Sequence, residues 1–383
     1  MKNLINSSFQ QRFGSQPQVV VKAPGRINII GEHIDYNNGF VMPCAIDKAI
    51  YFGMGLRNDN KIVIYSIDFD AEYVTEDLHK IGIDSSHWSS HVVGILQELL
   101  NRGYQLSTGL NICFGGDIPI GAGVSSSAGV EVGTTLGVSL LFDFNITKKE
   151  IALIAQATEH KYIGVNCGIM DMYASIFSRQ GHILVLDCEA LTHQYVSADF
   201  EDYKFILVDT GVKHSLAGTA YNERRIACED GLNFFKRFKG INSFRDLTEN
   251  DLFENKTHLS NNVFEKCLYV VNEISRVKLA TDAINNQDFE QIGNLMYQTH
   301  QGLSKLFDVS CIELDFLAES AMNLEGVLGS RMHGGGFGGC TINLINKNFE
   351  NEIVYKLDSL YKKQFGKSPQ IISVNISDGA TLI

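Results

Sequence analysis

Short β-rich runs bounded by Gly, Asn or Pro mark the front of the chain at residues 18–23, 62–67 and 109–114, and their pattern predicts strands. Apolar positions then recur at helical spacing over residues 88–102. Longer helical patterns follow at 128–142 and 148–162, the latter preceded by Thr147 in the N-cap position. The front half therefore reads as a sheet covered by helices. Further on, residues 182–187 and 204–209 predict strands and 221–239 a charged helix. Helices at 263–285 and 314–328, a strand at 340–345, a helix at 350–365 and a strand at 371–376 complete the pattern. No internal repeat interrupts it. The class is mixed α+β, and a break near Tyr203 suggests domains of residues 1–203 and 204–383, with the last residues able to return to the first domain.

Length supports that division, because 383 residues exceed what a single apolar core usually organises. A hydrophobic fraction of 44% and only five prolines predict a chain folded nearly end to end. The formal net charge of −12 argues against a nucleic-acid or anionic-membrane surface, so a polyanionic ligand would need local cations or a metal. Neither a signal-peptide pattern nor an apolar run long enough to span a bilayer is visible, and a cytoplasmic protein is expected. The eight cysteines lack any C-x-x-C pair and predict buried free thiols rather than zinc ligands or disulfides.

The chemistry concentrates in glycine-rich loops. Residues 115–128 join a predicted strand to a predicted helix and carry Gly121, Gly123, Ser125, Ser126 and Ser127. Glycine backbone admits an anion closely, N–H groups at the helix start carry partial positive charge, and serine hydroxyls add donors or a metal ligand. The same residues would also serve as a serine-capped helix start. Two other glycine patterns fail as nucleotide motifs. Gly366-Lys367-Ser368 has Tyr361 where a Walker A loop requires glycine, and Gly334, Gly336 and Gly339 lie after a predicted helix and before a strand, the reverse of a dinucleotide-binding turn. His87 and His91 have metalloprotease spacing, but Trp88 stands in place of the glutamate, so both are read as helix-surface histidines.

A second cluster, Arg26, Glu32, His33 and Asp35, falls in what reads as a turn-rich stretch after the first strand. Carboxylates and imidazole suit polyol hydroxyls, and a guanidinium suits a transferring phosphate, although the cluster would also make a solvated salt-bridge network. Residues 24–36 closely resemble the galactokinase signature. Residues 119–128 resemble the second motif, and Arg331 to Cys340 the third, of the superfamily of galactokinase, homoserine kinase, mevalonate kinase and phosphomevalonate kinase. The resemblance extends over the whole chain, with Cys167 to Asp171, Glu159-His160, Val212 to His214 and Tyr221 to Arg225 matching further segments.

That resemblance implies a two-domain kinase with mixed sheets and its active site in the cleft between domains, acting on ATP and a small sugar with Mg²⁺. It implies Arg26 and Asp171 as the catalytic pair, and Glu32, His33, Asp35, Gly168 and Tyr221 as sugar contacts. Gly121, Gly123, Ser125, Ser126 and Ser127 would hold the nucleotide phosphates. Ser127 and Glu159 would be metal ligands, and Trp88 would face adenine or else anchor the core. Galactose, phosphorylated at its C1 hydroxyl, is the implied acceptor, with no nucleic acid, membrane or obligate protein partner. Three positions depart from the family pattern: Met172 replaces a common glutamine, and Ile34 and His333 replace common threonines. Ile34 occurs in the N-acetylgalactosamine kinase branch, which keeps that sugar as an alternative; another sugar, or a non-catalytic sensor of galactose and ATP, are the further alternatives.

Overall fold

Three sheets organise the chain in a computed structural model, which describes residues 1–78, 80–119, 121–198, 200–212 and 217–383. The largest runs in the order Thr381–Leu382, Val19–Asn28, Pro43–Leu56, Leu110–Gly116, Ile62–Ser66, Ala71–Thr75, and only the pairing of Ile62–Ser66 with Leu110–Gly116 is parallel. Its strand Pro43–Leu56 is apolar on both faces because both are covered. Phe52 and Met54 meet the helix Ser126–Leu141 near Gly133 and Gly137, while Gly53 and Gly55 receive Ile5 and Phe9 of the helix Lys2–Phe13 from the other side. The alternation of side chains along a strand dictates this two-sided packing.

A four-stranded antiparallel sheet, Val327–Met332, Cys340–Asn346, Tyr203–Asp209, Gln370–Ser373, forms the second layer system. The helices Ile312–Met322 and Glu350–Phe365 close one face of it over Ile206, Val208, Leu317, Ile353 and Tyr361. Its helix Phe289–Gly302 approaches through paired glycines, with Gly293 against the backbone of Leu328 and Gly329. A three-stranded sheet, Phe40–Val41, His182–Asp187, Thr192–Ser197, lies beside the long helix Asn261–Asn285. One apolar core continues from Val21 through Val277 and Leu344 to Ala380, so the two halves of the sequence share it. The final strand pairs Leu382 with Val21 of the first sheet. All eight cysteines are free, and among the described residues no helix is long and apolar enough to cross a membrane.

Local chemistry explains where the elements depart from the sequence reading. The first strand does not stop at residue 23 but runs through Pro24 and Gly25 to Asn28, with a register shift between Pro24 and Arg26 that removes the need for a proline N–H. The stretch read as turn-rich is thus strand as far as Asn28, and turns only beyond it. Thr147 does cap its helix, in a reciprocal capping box with Glu150. That helix ends at Thr158, however, and continues as a π-helical turn, Glu159–Ile163. The helix expected over residues 314–328 stops at Met322, and the strand Val327–Met332 leads into the glycines at 334–339. That glycine loop therefore joins two antiparallel strands.

Gly133 tests the packing of helix on sheet. A Cβ there would meet the Phe52 ring at 2.2 Å and the Ala23 methyl at 2.9 Å. Gly133→Ala is expected to lower the stability of the folded chain by about 1–3 kcal/mol through overpacking, outweighing its gain in helix propensity. Urea denaturation midpoints check this, and an unchanged or raised midpoint would contradict the packing.

Candidate active site

Arg26 leaves the end of the first strand just past the bulge and is almost wholly buried. Its Nε donates to Asp171 Oδ1 at 2.8 Å and its Nη2 to Asp171 Oδ2 at 3.0 Å, a two-point fork onto one carboxylate. The remaining nitrogen, Nη1, donates to the carbonyl of Gly123 at 2.6 Å. Asp171 occupies the first turn of the helix Met170–Phe177, where a negative group is favoured by the helix dipole, and keeps 29% of its side chain exposed toward the cavity. The Ser125 hydroxyl also donates to Asp171 Oδ2. Ser125 has a left-handed backbone with φ 59°, which aims its hydroxyl at the carboxylate.

A cavity of about 300 Å³ opens in front of this pair, lined among others by Glu32, His33, Asp35, Gly168 and Tyr221. The turn after Asn28 supplies Glu32, His33 and Asp35, the approach to the helix Met170–Phe177 supplies Gly168, and the helix Ala217–Lys239 supplies Tyr221. Glu32 is nearly buried, and its Oε2 accepts from Arg331 Nη1 at 2.8 Å, leaving Oε1 without a partner among the described residues. His33, itself left-handed, has Nε2 3.2 Å from the carbonyl of Gly335 and Nδ1 2.9 Å from the Tyr36 hydroxyl. The carbonyl can only accept, so Nε2 carries the hydrogen and Nδ1 accepts from Tyr36. Burial pushes His33 down to about 3, which keeps it neutral. Burial, followed by the nearby Asp171 charge, pushes Asp35 up to about 7. Gly168 is required by that carboxylate, since a Cβ there would lie 2.0 Å from Asp35 Oδ2. Tyr221 packs at a tilt against His33 at 5.2 Å and edge-on to Tyr36 at 5.4 Å.

The serine loop approaches from the opposite side. Gly121 and Gly123 have φ of 84° and 71°, Ser126 opens the helix Ser126–Leu141, and Ser127 lines the cavity beside Glu159. The Glu159 carboxyl is pushed up to about 8 by burial and then by Glu131. The third glycine loop closes against the second: a Cβ at Gly334 would touch the Gly123 carbonyl at 3.0 Å, and one at Gly336 would collide with the Val309 carbonyl at 2.1 Å. Trp88 stays outside the cavity lining. It packs partly buried against Phe69 and Phe114, with centroids 6.1 and 6.0 Å away. Lys213 and His214 lie outside the described residues.

Several residues matter more than the sequence reading allowed. His91 is not a surface histidine: its Nδ1 is 2.8 Å from Glu131 Oε1 and 4.0 Å from Glu159 Oε1. Glu131 is fully buried, with burial raising it well above the ordinary carboxyl range, and its Oε2 has no partner among the described residues. Arg331, fully buried, donates to the carbonyls of Asn28, Ile29 and Met332 as well as to Glu32, and so ties the third motif to the first. In the sequence it stood only as the first residue of the third motif, with no sign of its partners. The three departures differ in consequence. Met172 lines the cavity, His333 Nε2 accepts from the Asn28 N–H at 3.0 Å, and Ile34 is fully buried against Gly39, away from the cavity.

The chain is similar to known proteins over its whole length. The galactokinase galactose-binding signature matches residues 7–55, the N-terminal domain of the GHMP kinases residues 90–179, and their C-terminal domain residues 280–363. A galactokinase of Clostridium acetobutylicum is 37% identical over 386 aligned residues, covering 100% of this chain and 99% of its own. One from Thermotoga petrophila is 37% identical over 363 residues, 95% of this chain and 99% of its own. The structure of Lactococcus lactis galactokinase complexed with galactose superposes with a TM-score of 0.95 at 30% identity, covering 100% of both chains. A mevalonate kinase at 18% identity and a TM-score of 0.66, covering 94% of this chain and 100% of its own, shares the fold. From the fork of Arg26 on Asp171 to the full-length likeness, these findings agree, and the chain belongs to the galactokinase family of GHMP kinases.

Proposed function

We propose that this kinase transfers the γ-phosphoryl group of ATP to the C1 hydroxyl of galactose, giving galactose 1-phosphate and ADP. The observation that carries the reading is the carboxylate of Asp171, forked on Arg26 and facing a cavity whose other wall is Glu32, His33, Asp35 and Tyr221. Phosphoryl transfer asks for alignment and charge stabilisation more than for covalent chemistry. Asp171 accepts the proton of the C1 hydroxyl as its oxygen attacks phosphorus, and Arg26 orients that carboxylate and offsets charge on the transferring group. Glu32 Oε1, Asp35 and the Tyr221 hydroxyl take the remaining sugar hydroxyls, while Gly168 leaves room for Asp35. The backbone of Gly121 and Gly123 and the hydroxyls of Ser126 and Ser127 hold the nucleotide phosphates. Adenine stacks near Trp88 and Phe69.

Mg²⁺ suits the oxygen pair of Ser127 and Glu159, because a hard cation prefers oxygen donors and a buried carboxyl raised to about 8 gains from a neighbouring positive charge. When bound, it neutralises charge on the phosphate oxygens. We place the division between sugar- and phosphate-binding residues 1–203 and the following 204–383 near Tyr203. A cytoplasmic location agrees with eight unpaired thiols.

Galactose is favoured over N-acetylgalactosamine because Ile34, the residue shared with the N-acetylgalactosamine branch, packs away from the cavity. A site that pairs individual hydroxyls rejects an epimer that leaves partners unmatched. Under identical Mg-ATP conditions kcat/KM for galactose is expected to exceed that for glucose, arabinose and N-acetylgalactosamine. A lead for any of the other three would refute the sugar assignment while leaving the kinase chemistry in place.

Asp35 gives a pH signature. Between its unfolded value of 3.8 and its folded value of about 7 the folded chain binds more protons than the unfolded one, so stability falls as pH rises through that window. Asp35→Asn removes the effect. The sugar-free variant is expected to gain on the order of 2–4 kcal/mol of stability relative to wild type between pH 4 and pH 8. Urea titrations at the two pH values read this out, and an identical wild-type-to-variant difference at both would contradict it.

A further inference from the structure

A second cavity, of about 640 Å³, lies among the helices Asn261–Asn285, Phe289–Gly302 and Ile312–Met322, on the far side of the glycine loop from the sugar site. Its size is that of a small-ligand site, roughly 300–1,000 Å³. Its walls hold polar groups that the fold leaves unused. Arg276 donates Nε to Glu273 Oε2 at 2.7 Å and holds its guanidinium 5.8 Å from the Tyr269 ring centroid, and neither its Nη2 nor the Tyr297 hydroxyl has a hydrogen-bond partner among the described residues. Lys305, largely exposed and 3.9 Å from Asp315 Oδ2, adds a second cation at the rim. The acidic lining residue Asp315 is already matched by the Ser304 and Ser310 hydroxyls, by His300 Nε2 at 3.3 Å and, more loosely, by Lys305. Glu319, exposed at the mouth, is free to accept a hydroxyl.

The cavity is joined to the catalytic cleft by three short links. Glu273, fully buried between Arg276 and the first motif, accepts from the Gly31 N–H at 2.8 Å, next to Glu32. His300 Nδ1 accepts from the Met332 N–H at 3.1 Å, and Met332 precedes the third glycine loop. Between the two sites runs the π-helical turn Leu303–Phe307, which presents Ser304, Lys305 and Leu306 to the cavity and Phe307 to His33 at 5.0 Å. Such turns recur where a helix has been reshaped for function.

We propose that this cavity is a regulatory site for a small hydroxylated anion, a sugar phosphate or sugar acid, whose charge is taken by Arg276 and Lys305 and whose hydroxyls meet Tyr297 and Glu319. Occupancy changes the hold of Arg276 on Glu273, and through Gly31 and Met332 alters the sugar site. The binding part of this proposal is independent of which sugar is phosphorylated.

The test uses the full chain with its active site filled by galactose and an ATP analogue that cannot transfer its γ-phosphoryl. Inorganic phosphate, glucose 6-phosphate and gluconate are titrated calorimetrically. At least one is expected to bind saturably at one site per chain, at least tenfold more weakly in Arg276→Gln and about threefold more weakly in Lys305→Gln. Lys305 is largely exposed, so its variant reads out the site even if replacing Arg276 prevents folding. In turnover, the bound probe is expected to shift the galactose KM at least twofold in wild type. Absence of saturable binding by all three probes, or undiminished binding in the folded variants, overturns the site; an unmoved KM with the probe bound overturns the coupling.

Discussion

Arg26 comes off its strand with all three guanidinium nitrogens engaged, two on Asp171 and one on the carbonyl of Gly123. A planar fork can do this only if the strand end, the start of the helix Met170–Phe177 and the serine loop are all in place at once. The rest of the fold serves that condition. The bulge at Pro24 sets the direction in which Arg26 leaves the sheet, and Gly25 is open to the loop because a Cβ would strike the Val124 carbonyl at 2.5 Å. The Arg26 N–H bonds the same carbonyl at 3.1 Å, so backbone and side chain of one residue both fix the serine loop.

Behind the cleft, two buried charged groups hold the motifs to one another. Arg331 spans three backbone carbonyls and Glu32, and Glu273 takes Gly31, Thr299 and Arg276. Breaking either would strand a buried charge, which costs several kcal/mol, whereas keeping both satisfied gives orientation more than stability. That division matters for chemistry. Glu32 is pinned through Oε2, so Oε1 presents a fixed acceptor, and His33 is pinned between Tyr36 and Gly335 in one neutral tautomer. The cleft is thus ordered before any sugar enters, which lowers the entropic cost of binding it.

Local chemistry in the sequence marked the serines at a helix start and the acids and histidine within a few residues, whereas Asp171 was reached only through the family resemblance. It also carried the strand His182–Asp187 and the helix Glu350–Phe365, whose pattern and punctuation agree. What it hid was set by partners distant in the chain. The strand Pro43–Leu56 shows no alternation because helices cover both faces, and the helix Lys2–Phe13 buries only Ile5 and Phe9. His91 resembled a surface histidine until Glu131, forty residues on, supplied its partner. Glu273 had no mark at all, since the amide it binds lies 242 residues earlier.

The account stands or falls on the carboxylate of Asp171 acting on the sugar hydroxyl, and Asp171→Asn tests that with little change of shape. Turnover of galactose with Mg-ATP is compared with calorimetric binding of galactose to the same preparation. The account predicts a fall in kcat of roughly a hundredfold or more with sugar binding nearly intact. A variant that binds galactose and turns it over at close to the wild-type rate would contradict it.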